Sequence, residues 1–296
     1  MIYINIEDLE LPHDWIEQAD ALTEQLLALP AVERTDFIND KRLLTWGNRR
    51  LVEALINVIG NKCWYSEIRL EGQDPNVDHF RPKGRVVEIS TDHPYTFDKT
   101  GIVVEHGYWW LAFQWKNFRL SSMHANQRRV DPDTNGGKAD FFPVNGPRAI
   151  ELTPIEVIDE DVLPLDPCVL SDMELIWFDP DGKPGFKNWK RKPTDEEVKR
   201  LTVSTWLYHL NKNHIVQARA SHVADIRNDL VTADAYYKMW NPNGPDIKLS
   251  YKIQFNLLLN KIRSKTASKS VFAGAKRCAV RTATAKYPWI SDYNVL

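Results

Sequence analysis

Val77-Asp78-His79-Phe80-Arg81-Pro82-Lys83 is the stretch on which the reading of this chain turns, with Asn117 and Asn126 following well behind it. If the Asp-His pair lies on a strand, its two side chains point to opposite faces. Asp78 can then bind a hard divalent cation while His79 takes a proton from a water molecule. Mg²⁺ keeps several waters and asks a protein for only one or two carboxylates, so Asp78 with the amide oxygen of Asn117 or of Asn126 is a sufficient set. Such a centre hydrolyses phosphodiesters.

Outward from this stretch, residues 61–147 break into short pieces rich in Gly, Pro, Asn, Asp and His, the texture of a site built on loops. Towards the N-terminus, apolar residues recur at spacings of three and four from Asp14 to Leu29, where Pro30 stops them. They recur again from Leu43 to Ile59, which predicts two packed helices before Gly60. A second loop-rich stretch runs to a soft boundary near Pro193. Thr194-Asp195-Glu196-Glu197 then has the form of a capping box opening a helix whose apolar side continues to Leu210. Further helices fit 215–235 and 251–262. Thr134-Asn135-Gly136-Gly137-Lys138 lacks the ending of a phosphate-binding loop and reads as a turn.

At 296 residues, 43% hydrophobic and 26% charged, the chain is globular in composition, and disordered, collagen-like and disulfide-stapled classes are excluded. No apolar run approaches the ~18 residues of a membrane span, and acids rather than a basic leader follow Met1 to Asn5, so the expected compartment is the cytoplasm. The net charge of −2 hides a strong polarity. Residues 1–180 hold 17 Lys and Arg against 31 Asp and Glu, whereas residues 181–296 hold 21 against 9. From Ile247 to Ser291 there are ten cations, from Lys248 to Lys286, and no acid. Such a stripe suits a polyanion, an acidic partner, or the acidic half of the same chain.

Together with three further motifs, the opening stretch carries a resemblance. Cys63-Trp64-Tyr65-Ser66-Glu67, Val77 to Lys83, Tyr108-Trp109-Trp110-Leu111-Ala112-Phe113-Gln114-Trp115-Lys116-Asn117-Phe118, and Ser122-Met123-His124-Ala125-Asn126 precede Lys138 and Phe142-Pro143. Together they closely resemble HNH endonucleases, in particular the branch found beside ABC-type ATPases in anti-phage systems of the Septu and retron-associated kind. The resemblance is strong over about 80 residues and looser over roughly 150 more. It implies an α+β fold in which a ββα-metal core, residues 61–150, is embedded between a helical section, 1–60, and a mainly helical basic section, 151–296.

Position by position, the resemblance makes His79 the general base, Asp78 and Asn126 the holders of one Mg²⁺ or Mn²⁺, and Asn117 the residue that fixes the loop presenting His79. Exchanging the two Asn roles is the alternative. Arg81, Lys83, Arg128, Arg129 and Lys138 are expected to contact the nucleic-acid backbone. Where the branch has two Cys-x-x-Cys pairs gripping a structural zinc, this chain has Cys63/Ser66 and Ser122/Ala125, so that zinc is expected to be absent. The aromatics of 64–118 are the expected replacement for its stabilising effect. By resemblance the partner is a separate ABC-type ATPase in a hetero-oligomer, and DNA is favoured over RNA as substrate. Cleavage of tRNA by the same site, or an inactive nuclease-derived scaffold, are the competing functions.

Overall fold

The computed structural model describes residues 1–72, 75–93, 96–104, 106–130, 135–187, 191–240 and 248–296; for 89–93, 96–104, 129–130 and 135 it describes the backbone alone. The fold is mixed α+β, mostly helical, with four small two-stranded antiparallel sheets among the described residues.

Three helices open the chain: α1 (His13–Ala28), α2 (Ala31–Asp40) and α3 (Arg49–Ile59). α1 buries Trp15, Ala19, Leu22 and Leu26, a stripe repeating at three and four residues. Pro30 does end α1, but it also begins α2, which the sequence reading did not anticipate. Proline has a fixed φ and no amide hydrogen to leave unpaired, so Pro30, at φ −62° and ψ 150°, serves as the N-cap of α2 as well as the stop of α1. α3 starts at Asn48, whose side chain accepts from Arg50 N, and stops at Gly60, where φ is +87°.

In the centre, β1 (Asn76–His79) pairs antiparallel with β4 (Phe118–Ser121), in the register Asp78 opposite Arg119 and His79 opposite Phe118. Between them the chain runs through a long hairpin, β2 (Val86–His93) with β3 (Thr96–Val104), and two aromatic 3₁₀ turns at Trp109–Leu111 and Trp115–Asn117. The hairpin lies where the sequence reading expected loops. Directly after β4, Ser122 caps the short helix α4 (Met123–Asn126) by accepting from Ala125 N. A two-residue ladder then pairs β5 (Arg129–Val130) with β6 (Asn135–Gly136), so the expected turn at 134–138 contains strand β6. Its last glycines are tightly placed. Gly137 has φ +106°, and a Cβ there would lie 2.1 Å from the Gln127 carbonyl oxygen.

The rest is helical around one more short hairpin. α5 (Leu170–Leu175), β7 (Trp177–Phe178) and β8 (Pro184–Gly185) lead to α6 (Asp195–Leu207), which carries the full Thr194/Glu197 capping box. α7 (Asn213–Trp240) and α8 (Leu249–Thr266) run longer than their predicted spans and pack on each other, followed by α9 (Ala273–Ala283) and α10 (Trp289–Asp292). The main core draws on all three expected sections, from Ile2 and Trp15 through Trp64 and Phe118 to Val223 and Cys278. A second cluster, with Ile226, Phe255, Leu259 and Trp289, fills the space among the last helices. No described helix is long and apolar enough to cross a membrane.

Candidate active site

The pleat of β1 divides the Asp-His pair between two environments. On one face, the Asp78 carboxylate is 3% exposed and both its oxygens are bonded. Oδ2 accepts from the Tyr65 hydroxyl at 2.6 Å, and Oδ1 accepts from Lys138 Nζ at 2.7 Å. Lys138 is itself 1% exposed and also donates to the His79 carbonyl oxygen at 2.5 Å. Tyr65 stacks flat on Tyr208, ring centroids 4.0 Å apart. Burial, and then the Asp78 charge, push the Tyr65 phenol well above its ordinary 10.0, so it stays a donor. Arg119, opposite Asp78 on β4, faces Asp166 instead, with bonds of 2.8 and 2.6 Å.

On the other face, His79 Nε2 lies 2.9 Å from the Ala112 carbonyl oxygen. A carbonyl only accepts, so Nε2 carries the proton and Nδ1 the lone pair. Nδ1 makes no hydrogen bond among the described residues. The ring stands edge-on to Trp46 and to Phe118, each at a centroid distance of 5.0 Å. Burial, followed by the charge of Lys83, lowers the imidazole from 6.5 to about 3, which keeps it neutral.

Asn117 ties this face to the loop beyond it. Its Oδ1 accepts from Arg81 N at 2.8 Å and its Nδ2 donates to the Arg81 carbonyl at 2.9 Å, a side chain acting as a strand neighbour. Its own carbonyl accepts from Phe80 N at 2.8 Å. Asn126 closes α4, half-buried, and no hydrogen bond holds its side chain among the described residues. Its carbonyl accepts from Ala139 N, and that of Ala125 from Lys138 N, so α4 anchors the backbone that carries Lys138.

The cations expected to meet nucleic acid are divided. Arg81 turns inward, bonded at 2.9 Å to Glu160, whose side chain is fully buried. Lys138 is a buried partner of Asp78, so the substrate contact expected of it is not the one it makes. Lys83 is half-buried with its ammonium 4.9 Å over the Trp46 ring, and Arg128 is exposed beside Phe141. The side chain of Arg129 lies outside the described residues. Tyr65, Trp46, Glu160 and the Ala112 carbonyl were not assigned to the site from sequence; only Tyr65 and Ala112 lie inside a motif that pointed there.

All four knuckle positions are buried, and hydrogen bonds hold their backbone. Ser66 N donates to Cys63 Sγ at 3.5 Å, and Trp64 N donates to the Leu120 carbonyl, joining the first turn to β4. Ser66 Oγ has no hydrogen-bond partner among the described residues. Beneath this turn a buried ion pair, Lys62 with Glu67 at 3.0 Å, reaches the Ser270 carbonyl and Gly274 N. Burial opposes ionisation of Glu67, yet Lys62, the N-terminal ammonium 3.3 Å away and the bond from Gly274 N hold its carboxyl at about 2, below the ordinary 4.5.

Tested against these contacts, the donor set expected for a divalent ion does not fit as folded. Asp78 is buried, both oxygens are bonded, and one of them already faces an ammonium that a second cation would have to repel or replace. No group of three or more His, Cys, Asp or Glu side chains suited to a metal occurs among the described residues.

No family model matches the chain, and no solved structure matches it. Among curated proteins it is similar to Septu protein PtuB of Bacillus mycoides (strain KBAB4), with 25% identity over 202 residues, 67% of this chain and 60% of that protein. The matched region thus spans about 60% of the length of that relative.

Proposed function

We propose that the chain is a phosphodiester hydrolase acting on nucleic acid, DNA before RNA, and that it belongs to an anti-phage defence system of the Septu kind. The observation that carries the reading is His79: its tautomer is set by the Ala112 carbonyl, its Nδ1 makes no described hydrogen bond, and Asn117 locks the loop that follows it. A strand pair followed by a short helix ending at Asn126 supports an HNH-type ββα centre. In this reading Nδ1 takes a proton from water as the water attacks phosphorus and the 3′ oxygen departs. Lys83 and the Asn126 amide meet the phosphate oxygens. The similarity to a Septu protein supports the defence role, and the resemblance of the motifs adds an ABC-type ATPase as the partner that restrains and releases the activity.

The closed Asp78–Lys138 pair favours a second reading, a binding subunit that no longer cuts. One experiment separates them: incubation of the purified chain with duplex DNA, single-stranded DNA and tRNA, with and without its partner, beside His79→Ala. Cleavage lost in His79→Ala supports the hydrolase. Cleavage by no preparation, or equal cleavage by both, sinks it.

A further inference from the structure

We propose that Lys138 is the resident cation of this centre, built into the fold on Asp78, so that the protein coordinates no divalent ion through Asp78 while Lys138 is in place. The inference rests on the reading above only in its choice of centre.

Three observations carry it. The lysine is placed by its backbone and does not arrive at Asp78 as a long side chain from the surface. Lys138 N donates to the Ala125 carbonyl at 3.1 Å and Ala139 N to the Asn126 carbonyl at 2.8 Å, and Gly137 before it takes a left-handed φ against Gln127, where a Cβ would collide. Its ammonium is also shared. One bond goes to the side chain of Asp78 and one to the carbonyl of His79, so a single charge holds both residues of the pair. Finally, the carboxylate is complete without any further ligand. Tyr65 takes the second oxygen and is itself pressed against Tyr208, and the Asp78 charge is matched one to one in a space with 1–3% exposure. A buried ion pair with satisfied hydrogen bonds resists loss of either member, because the remaining charge would stand alone. A divalent ion at Asp78 therefore has to expel a fixed ammonium and break its bond to the His79 carbonyl. Asp78 on this account is a positioning residue, and the chemistry of its face is structural.

The test is a Mn²⁺ titration of the full chain, with free Mn²⁺ read by electron paramagnetic resonance. Wild type and Asp78→Asn are expected to titrate alike, with no Asp78-dependent site tighter than about 1 mM. Lys138→Ala is expected to gain one site at least about tenfold tighter than wild type, and that site should vanish in Lys138→Ala/Asp78→Asn. Lys138→Arg, which keeps the cation, should behave as wild type. A fall of about tenfold or more in wild-type Mn²⁺ affinity on Asp78→Asn overturns the proposal, as does a Lys138→Ala protein that folds and gains nothing. The unsubstituted chain gives a second measurement if the variants fail to fold. The Tyr65 ring signals in its proton spectrum should survive one equivalent of Mn²⁺, and their broadening ahead of the His79 ring signals, which lie on the other face of β1, overturns the proposal. A chain that cuts nothing yet ignores Mn²⁺ at Asp78 loses the hydrolase reading and keeps this one; a chain that cuts and binds Mn²⁺ through Asp78 does the reverse.

Discussion

Asp78 and His79 are neighbours in sequence and equally hidden, but the two faces of β1 that receive them are built from different chemistry. Asp78 enters a pocket of opposite charge and phenols, with Lys138, Tyr65 and Tyr208 around it, and every oxygen is bonded. His79 enters an aromatic box, with one nitrogen fixed and the other making no described bond. The comparison teaches that a strand can give two adjacent side chains opposite surroundings, one fully bonded and one with a nitrogen to spare, within one dipeptide. One face is fully bonded, and on the other a single nitrogen makes no described hydrogen bond; in the proposed hydrolase it is that nitrogen which acts.

That division breaks or sharpens under substitution. The largest effect is expected at His79: His79→Ala should lower phosphodiester cleavage by about 10²–10⁴-fold in an initial-rate assay, far more than the about 1–3 kcal/mol that the lost Ala112 bond costs in urea unfolding explains. A variant that keeps its activity removes the reactive half of the comparison. On the other face, Lys138→Met leaves Asp78 buried and unpaired, and the expected loss of stability is about 3–5 kcal/mol by urea denaturation. Adding Asp78→Asn to that variant should restore part of the loss, and strict additivity of the two changes would deny that they are coupled.

Acid reaches the same region through Glu67. Its folded pKa lies below the unfolded value, so the stabilisation it provides is complete above about pH 4.5 and is withdrawn as pH falls from there towards 2. Thermal melts of wild type and Glu67→Gln should therefore converge as pH is lowered through this window. Asn117→Ala strips the Arg81 backbone of both partners and should cost about 1–3 kcal/mol, with cleavage falling more than unfolding accounts for. The smallest effect belongs to Arg49→Ala, which removes an exposed pair with Glu53 and should change stability by under about 0.5 kcal/mol.

What could be read from sequence was mostly local. The box at Thr194 and Glu197 involves four consecutive residues, and α6 begins where those residues put it. The Asp78–His79 pair, Asn117 and Asn126 could be located by motif spacing. The direction of Lys138 could not, because its contact with Asp78 joins residues 60 apart and a lysine beside Gly-Gly reads as an exposed turn. α9 escaped notice for a related reason. Its buried side is Ala273, Ala275, Cys278 and Val280 among several cations, too small and too basic to mark a core-facing helix. Helix α2 was hidden by Pro30, read as an end when it is both an end and a beginning. The β2–β3 hairpin was hidden by its Gly, Pro and Asp residues, which look like loop until the two segments are set side by side.

The Lys62–Glu67 pair has a consequence for the order of assembly. Its outer partners, the Ser270 carbonyl and Gly274 N, lie 208 and 207 residues further along the chain. Contacts of such separation form late, since the long intervening loop must close first. On the ribosome, the turn beside β1 and β4 therefore waits with a buried-type ion pair half made until α9 has emerged. The turn that carries the knuckle positions is therefore completed only when synthesis is nearly over, long after His79 has met Trp46, Ala112 and Phe118.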